Sequence, residues 1–180
     1  AEDESKLNTL IAKLVKFKDL WDRDASLAEA LPSVCAAHRE RYQGYGLRQI
    51  CQEMHDFYRK ADIKELQRLC FRASSFPEPA MHAQDAYHAL VANDVEYVPL
   101  TKVRGRIAAT LALIYPPGIG VIVPGERWDA RAQPMLDYFL AFQESFNRFP
   151  GFNYEVQGVF QERVEGRIRF YTYVVRPSDA

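Results

Sequence analysis

Leu7, Leu10, Ile11, Leu14, Phe17 and Trp21 recur at steps of three and four residues, with Lys13, Lys16 and Lys18 off the stripe. That period predicts an amphipathic helix at the start of the chain. Asp24 and Ser26 are candidate N-caps for a second, shorter helix ending near His38. Beyond the break Gln43-Gly44-Tyr45-Gly46, the residues Leu47, Ile50, Cys51, Met54 and Phe57 share one face of the clearest helix. A further helix over 63–71 turns Leu66, Leu69 and Cys70 inward. The text changes at 73–80. Ser74-Ser75-Phe76-Pro77-Glu78-Pro79 cannot be helical throughout, because each proline moves the residue before it out of the helical region. A domain boundary is expected here, with a helical segment over 1–79 and a second domain over 80–180.

The second part mixes periods. A helix over 83–91 precedes the extended piece Glu96-Tyr97-Val98-Pro99, and strands are expected over 107–115 and 119–123. The second of these is a β-branched run held between Tyr115-Pro116-Pro117-Gly118 and Pro124-Gly125-Glu126-Arg127, two turn-forming blocks with few accessible shapes. Met135, Phe139, Phe142, Phe146 and Phe149 form the stripe of a long helix that stops at Pro150-Gly151. Strands over 156–160 and 168–175 make a hairpin around Glu165-Gly166, with Ile168, Phe170, Thr172 and Val174 alternating against Arg167, Arg169, Tyr171 and Tyr173. The expected class is α+β: a helical N-terminal third, then a mixed α/β domain whose antiparallel hairpin is packed by the long helix.

A net charge of −1 gives no electrostatic case for nucleic acid or an anionic membrane, both of which need a concentrated basic face. No stretch approaches a membrane span, and the polar start Ala1-Glu2-Asp3-Glu4 reads neither as a signal peptide nor as an initiator Met, which suggests a fragment or processed chain. Cys35, Cys51 and Cys70 are odd in number, lack Cys-x-x-Cys spacing and sit in helical apolar patterns, as buried free thiols in a reducing cytoplasm would.

Candidate chemistry is sparse. His38, His55, His82 and His88 offer no His-x-x-x-His pair, so no metal site is expected, and no Gly-x-Ser-x-Gly elbow is present. The Gly-x-Gly fragments lack the strand–loop–helix setting of a phosphate cradle. One cluster differs. Glu96, Tyr97, Arg104, Arg106, Tyr115 and Glu126 punctuate strands and tight turns, where a scaffold holds side chains rigidly. Their chemistry suits structural ion pairs or the wall of a cationic ligand's path.

Read together, several blocks resemble the C-terminal portion of bacterial ornithine/lysine/arginine decarboxylases, pyridoxal-phosphate enzymes of the aspartate-aminotransferase fold. These are Ala80-Met81 with Gln84-Asp85-Ala86-Tyr87, Val95-Glu96-Tyr97-Val98-Pro99-Leu100, Gly105-Arg106-Ile107-Ala108-Ala109, Tyr115-Pro116-Pro117-Gly118, Pro124-Gly125-Glu126 and Phe149-Pro150-Gly151-Phe152. Upstream, the stretch from Arg48 to Tyr58 resembles the helix leading into that domain. The resemblance implies a parent enzyme that converts lysine, arginine or ornithine to agmatine or a diamine plus CO2. It also implies an upstream core that binds pyridoxal phosphate, a cytoplasmic homodimer that often assembles into a decamer, and roles in acid resistance and polyamine formation. It places Tyr115, with Pro116, Pro117, Gly118 and Glu126, along the substrate channel, and makes Glu96, Tyr97 and Arg106 channel-wall or structural residues.

The departures from the family pattern matter as much. The family's Schiff-base lysine stands in a Ser-x-His-Lys motif, and no His-Lys pair occurs here. The segment is therefore expected to carry no catalytic, cofactor-binding or metal-binding residue and to be inactive alone. Ile114 and Gly120 stand where the family usually has proline. The rival reading is a stand-alone interaction or regulatory domain without catalytic activity.

Overall fold

The first stripe folds as its period predicts: α1 runs Glu2–Asp22 in a computed structural model that describes residues 2–115 and 118–177. The chain divides into two compact units, Ala1–Tyr58 and Arg59–Ala180.

In the first unit the helix expected to end near His38 is broken into three pieces: α2 (Leu27–Ala30), α3 (Pro32–Ala37) and α4 (Arg39–Tyr42). Pro32 causes the first break, because it takes Leu31 out of helical geometry and leaves it at φ −136°, ψ 67°. Ser26 is the N-cap of α2, its Oγ accepting from the Glu29 N–H. Asp24 caps elsewhere. Its Oδ1 accepts from the Arg48 N–H at 3.1 Å, in the first turn of α5 (Leu47–Lys60). Leu27 N–H to the Tyr45 carbonyl (2.8 Å) and Leu47 N–H to the Ala25 carbonyl (2.9 Å) tie the connecting segments together. The core under them is Leu20, Leu27, Tyr42, Leu47 and Ile50. Cys70 is buried, but Cys35 and Cys51 are only half-buried, a correction to the expectation for all three thiols.

The second unit begins with α6 (Ile63–Cys70) and continues through α7 (Ala83–Val91) and β1 (Val95–Pro99) to β2 (Leu113–Tyr115). It ends with α8 (Gln133–Arg148), β3 (Glu155–Gln157), β4 (Phe160–Val164) and β5 (Arg167–Val175). The proline-rich stretch expected to separate domains lies inside this unit. Glu78 donates its N–H to Asp129 Oδ2 (3.1 Å), and Ala80 and Met81 donate to the Gly125 carbonyl (2.9 and 3.2 Å).

β5 is the centre of an antiparallel sheet ordered β1-β5-β4. Its hairpin partner is β4 over 160–164, not the 156–160 arm expected, and the two-residue turn Glu165-Gly166 has φ of 51° and 80°, the geometry such hairpins favour. Residues 155–157 pair instead with β2. The strand expected over 107–115 changes partner midway. Ala108 bridges Val174 of β5, and from Leu113 the chain pairs with β3. Thr110 marks the change, its Oγ1 lying 3.1 Å from the Gly158 carbonyl and 3.0 Å from Thr172 Oγ1. The segment 119–123 is not a strand; it holds one bridge, Ala112 to Ile122.

The long helix packs across the hairpin as expected. Phe146 meets Phe170 edge-on at 5.3 Å, and both are fully buried with Phe139 and Phe149. β1 covers β5 only over 171–175, so the β5 N–H groups at 168 and 170 lie beyond its end. Two α8 side chains satisfy them: Asn147 Oδ1 accepts from the Ile168 N–H (2.7 Å) and Gln143 Oε1 from the Phe170 N–H (2.7 Å). Buried backbone donors left unpaired are costly, so this contact fixes the helix on the sheet in one register.

Candidate functional site

The segment between β2 and α8 is built by three close approaches of backbone. Val121 N–H donates to the Ala112 carbonyl (2.9 Å), Gly125 N–H to the Ala108 carbonyl (2.8 Å) and Trp128 N–H to the Arg106 carbonyl (2.8 Å). Tyr115 ends β2 opposite Glu155 and is 50% exposed. Pro116 and Pro117 lie outside the described residues. The chain returns at Gly118 with φ +79°, where a Cβ would come 2.7 Å from the Tyr115 ring. Only glycine lets the backbone pass under that ring. The Tyr115 ring thus lies against Gly118, and Ile119 and Val123 of the same segment, with Leu111 just before β2, are exposed apolar side chains.

Glu126 closes the following turn. Its Oε2 accepts from the Val123 N–H at 2.8 Å. Burial, reinforced by the nearby Asp129, holds its carboxyl above the usual carboxylate range despite that hydrogen bond. Gly125 is again required by geometry: at φ +89°, an added Cβ would meet the Met81 carbonyl oxygen at 2.5 Å.

The other candidates sit elsewhere in the unit. Arg106 and Glu96 form an ion pair at 3.1 Å, and the Arg106 hydrogen bond keeps the Glu96 carboxyl low. Arg106 also donates to the Val175 carbonyl (3.3 Å), fastening 106 to the end of β5. Tyr97 belongs to the outer sheet face, stacked on Tyr171 at 5.0 Å and donating to Glu162 Oε1 at 2.9 Å; burial and Glu162 raise its phenol. Arg104 bonds Gln133. The cluster read from sequence therefore resolves into separate settings: the turn segment with Tyr115 and Glu126, an ion pair, and an aromatic ladder.

Asp129 was not singled out in the sequence, yet it organises this region. Its carboxylate accepts from the N–H groups of Glu78 (3.1 Å), Arg131 (2.8 Å) and Ala132 (3.1 Å). Burial alone would raise its pKa; these hydrogen bonds outweigh it and hold the carboxyl low. A readable signal existed, an Asp a few residues before the Pro134-containing helix start.

Attachment of pyridoxal phosphate needs a lysine in an enclosed setting. All seven lysines, Lys6, Lys13, Lys16, Lys18, Lys60, Lys64 and Lys102, are exposed. Burial pushes the Cys70 thiol up to about 12, which makes it a poor nucleophile. None of the seven lysines is enclosed in the way such an attachment requires. Among the described residues, no group of three His, Cys, Asp or Glu could hold a metal ion, and no helix is long and apolar enough to cross a membrane.

The family model for the Orn/Lys/Arg decarboxylase C-terminal domain matches residues 64–176. The chain belongs to this family. Over all 180 residues it is 48% identical to the inducible ornithine decarboxylase of Escherichia coli, of which it spans 24%. It is 41% identical over 167 residues to a lysine decarboxylase of Pseudomonas aeruginosa, covering 91% of this chain and 22% of that protein. The solved structure of lysine decarboxylase A from Pseudomonas aeruginosa superposes with a TM-score of 0.85 at 34% identity, over 95% of this chain and 23% of that one. The chain thus spans about a quarter of the length of the curated relatives it matches.

Proposed function

We infer that this chain is the C-terminal region of a larger basic amino-acid decarboxylase that releases CO2 from ornithine, lysine or arginine. The observation that carries this is the 48% identity to an ornithine decarboxylase along the full 180 residues. The identities to ornithine decarboxylases reach 48% and 46%, against 41% for a lysine decarboxylase, so ornithine is the first substrate to test and lysine the second. Pyridoxal phosphate supplies the electron sink for such a decarboxylation and is held by the part of the parent absent from this chain. The present residues serve binding and assembly. Tyr115, fixed over Gly118, stands with Leu111, Ile119 and Val123 at the wall of the substrate's path, and Glu126 shapes the turn behind it. The assembly is a cytoplasmic homodimer or a higher oligomer of it.

The test compares this 180-residue chain with the longer polypeptide encoded by the same gene. CO2 release from ornithine, lysine and arginine is expected from the longer one alone, fastest with ornithine. A longer polypeptide inactive on all three would remove the reading.

A further inference from the structure

Within α1, the steps from Leu7 to Leu10, Leu14, Phe17 and Trp21 are 3, 4, 3 and 4, the a/d seam of a coiled-coil-like helix pair. Leu20 beside this seam is buried, but Leu7, Leu10, Leu14 and Phe17 are 52–58% exposed, and Ile11 is 49% exposed. The positions flanking the seam from residue 6 to 20 are Lys6, Ile11, Lys13, Lys18 and Leu20, with no acidic residue among them, and of these Lys18 also pairs with Asp22 of its own helix. A second copy of α1 would set lysine against lysine in either orientation, a like-charge arrangement that disfavours self-pairing. The apolar seam calls for a cover and the flanking lysines specify its charge.

We propose that α1 docks into an apolar groove bordered by carboxylates, presented by the remaining three quarters or so of the parent polypeptide. This rests on the reading that the chain is part of a longer decarboxylase. The relatives supply the space for such a partner, since the chain is 24% of the ornithine decarboxylase it matches end to end. Docking is by an amphipathic helix laid in a groove, with leucine and phenylalanine anchors and lysines at the rim. The lysines set register and partner choice more than affinity.

The experiment is amide hydrogen exchange of α1 in this chain and in the longer polypeptide, with CO2 release measured on the same preparation. Exchange in α1 is expected to slow about 100-fold or more in the longer polypeptide. Leu10→Ser with Leu14→Ser should abolish that protection, and Lys13→Glu with Lys18→Glu should remove about tenfold of it. Lys16→Glu, off the seam, and Lys13→Arg with Lys18→Arg, which keep the charge, should leave it intact. An active longer polypeptide whose α1 exchanges as fast as in the short chain would overturn the docking while leaving the proposed function standing. Protection with no CO2 release from any of the three amino acids would do the reverse. Sedimentation of the 180-residue chain at roughly 100 µM should give a monomer. A dimer dissolved by Leu14→Ser would assign the seam to a second copy, and slow α1 exchange in the monomeric short chain would assign it to an internal contact; either result overturns the proposal.

Discussion

Helices α1 and α8 carry stripes of the same period and meet opposite fates. In α8 Phe139 and Phe146 are fully buried, while in α1 Leu14 is 58% exposed. Period decides which face of a helix is apolar; whether that face is covered depends on what the chain supplies within reach. The stripe of α8 is followed closely by a hairpin whose Phe170 packs edge-on against Phe146. The stripe of α1 is followed by three short helices, and among the described residues of α1 only Leu20, beside the stripe, is buried.

The sharpest test of the comparison is a matched pair of truncations in this chain. Phe146→Ala removes a fully buried ring and should cost about 3–5 kcal/mol, whereas Leu14→Ala should change stability by less than about 0.5 kcal/mol. Urea unfolding measures both, and equal costs would mean that α1 is covered after all. The polar side of α8 comes next. Asn147→Ala leaves the Ile168 N–H without its acceptor and should cost about 1–3 kcal/mol, with faster amide exchange at 168 as its local signature. An unchanged exchange rate there would break the claim that α8 completes the edge of β5.

Tyr115→Phe probes an exposed residue with a different meaning from Leu14. The Tyr115 hydroxyl has no hydrogen-bond partner among the described residues, so its loss should leave the melting temperature within about 1 °C. In the parent enzyme kcat/KM should fall roughly three- to 100-fold, the worth of one hydrogen bond to a neutral or charged partner. Unchanged kinetics would reduce Tyr115 to an ordinary exposed ring.

The smallest effect separates two carboxyls by pH. Glu126 has a raised folded pKa, so its stabilising contribution is full below its unfolded value of about 4.3 and is lost as pH rises through the folded value. Glu126→Gln, which cannot ionise, should therefore raise the melting temperature by about 1–2 °C at pH 7 and give no gain at pH 4. Asp129 runs the other way, its contribution present above about pH 3.9 and lost as pH falls through its depressed folded value. Asp129→Asn should thus be destabilising at pH 7 and nearly neutral in strong acid, and a pH-independent deficit would point to lost geometry instead of lost charge.

Helices with long stripes were legible in the sequence, with α7 and the Pro150-Gly151 stop of α8 falling where the pattern put them. The failures share a cause. The run 107–115 reads as one strand because all its residues but Thr110 are apolar or aromatic, yet Ala108 bridges Val174, Thr110 bonds Gly158 and Leu113 pairs with Gln157, and partner choice is a property of the fold. The run 119–123 is β-branched apart from Gly120 yet has a single bridge, Ala112 to Ile122, because β composition does not supply a partner strand. Asp24 stands where a cap for the nearest helix is expected, yet it accepts from the Arg48 N–H of α5, 24 residues on. Of the site, the ion pair Glu96–Arg106 was foreseeable by charge alone. The seating of Tyr115 against Gly118 depends on the positive φ of Gly118, which a glycine permits but does not require.

The bonds from Asn147 and Gln143 to β5 have a consequence for how the chain assembles. They join residues 21 and 27 apart in sequence, whereas Arg176 of the β5 end reaches Val95 of β1 across 81. Closing the short loops costs less chain entropy than closing the long one. Helix α8 and its hairpin should therefore condense first as a nucleus, with β1 joining an edge already in place. Kinetic φ-values above about 0.5 at Phe146 and Phe170, against values near zero at Val95, are the signature of that order.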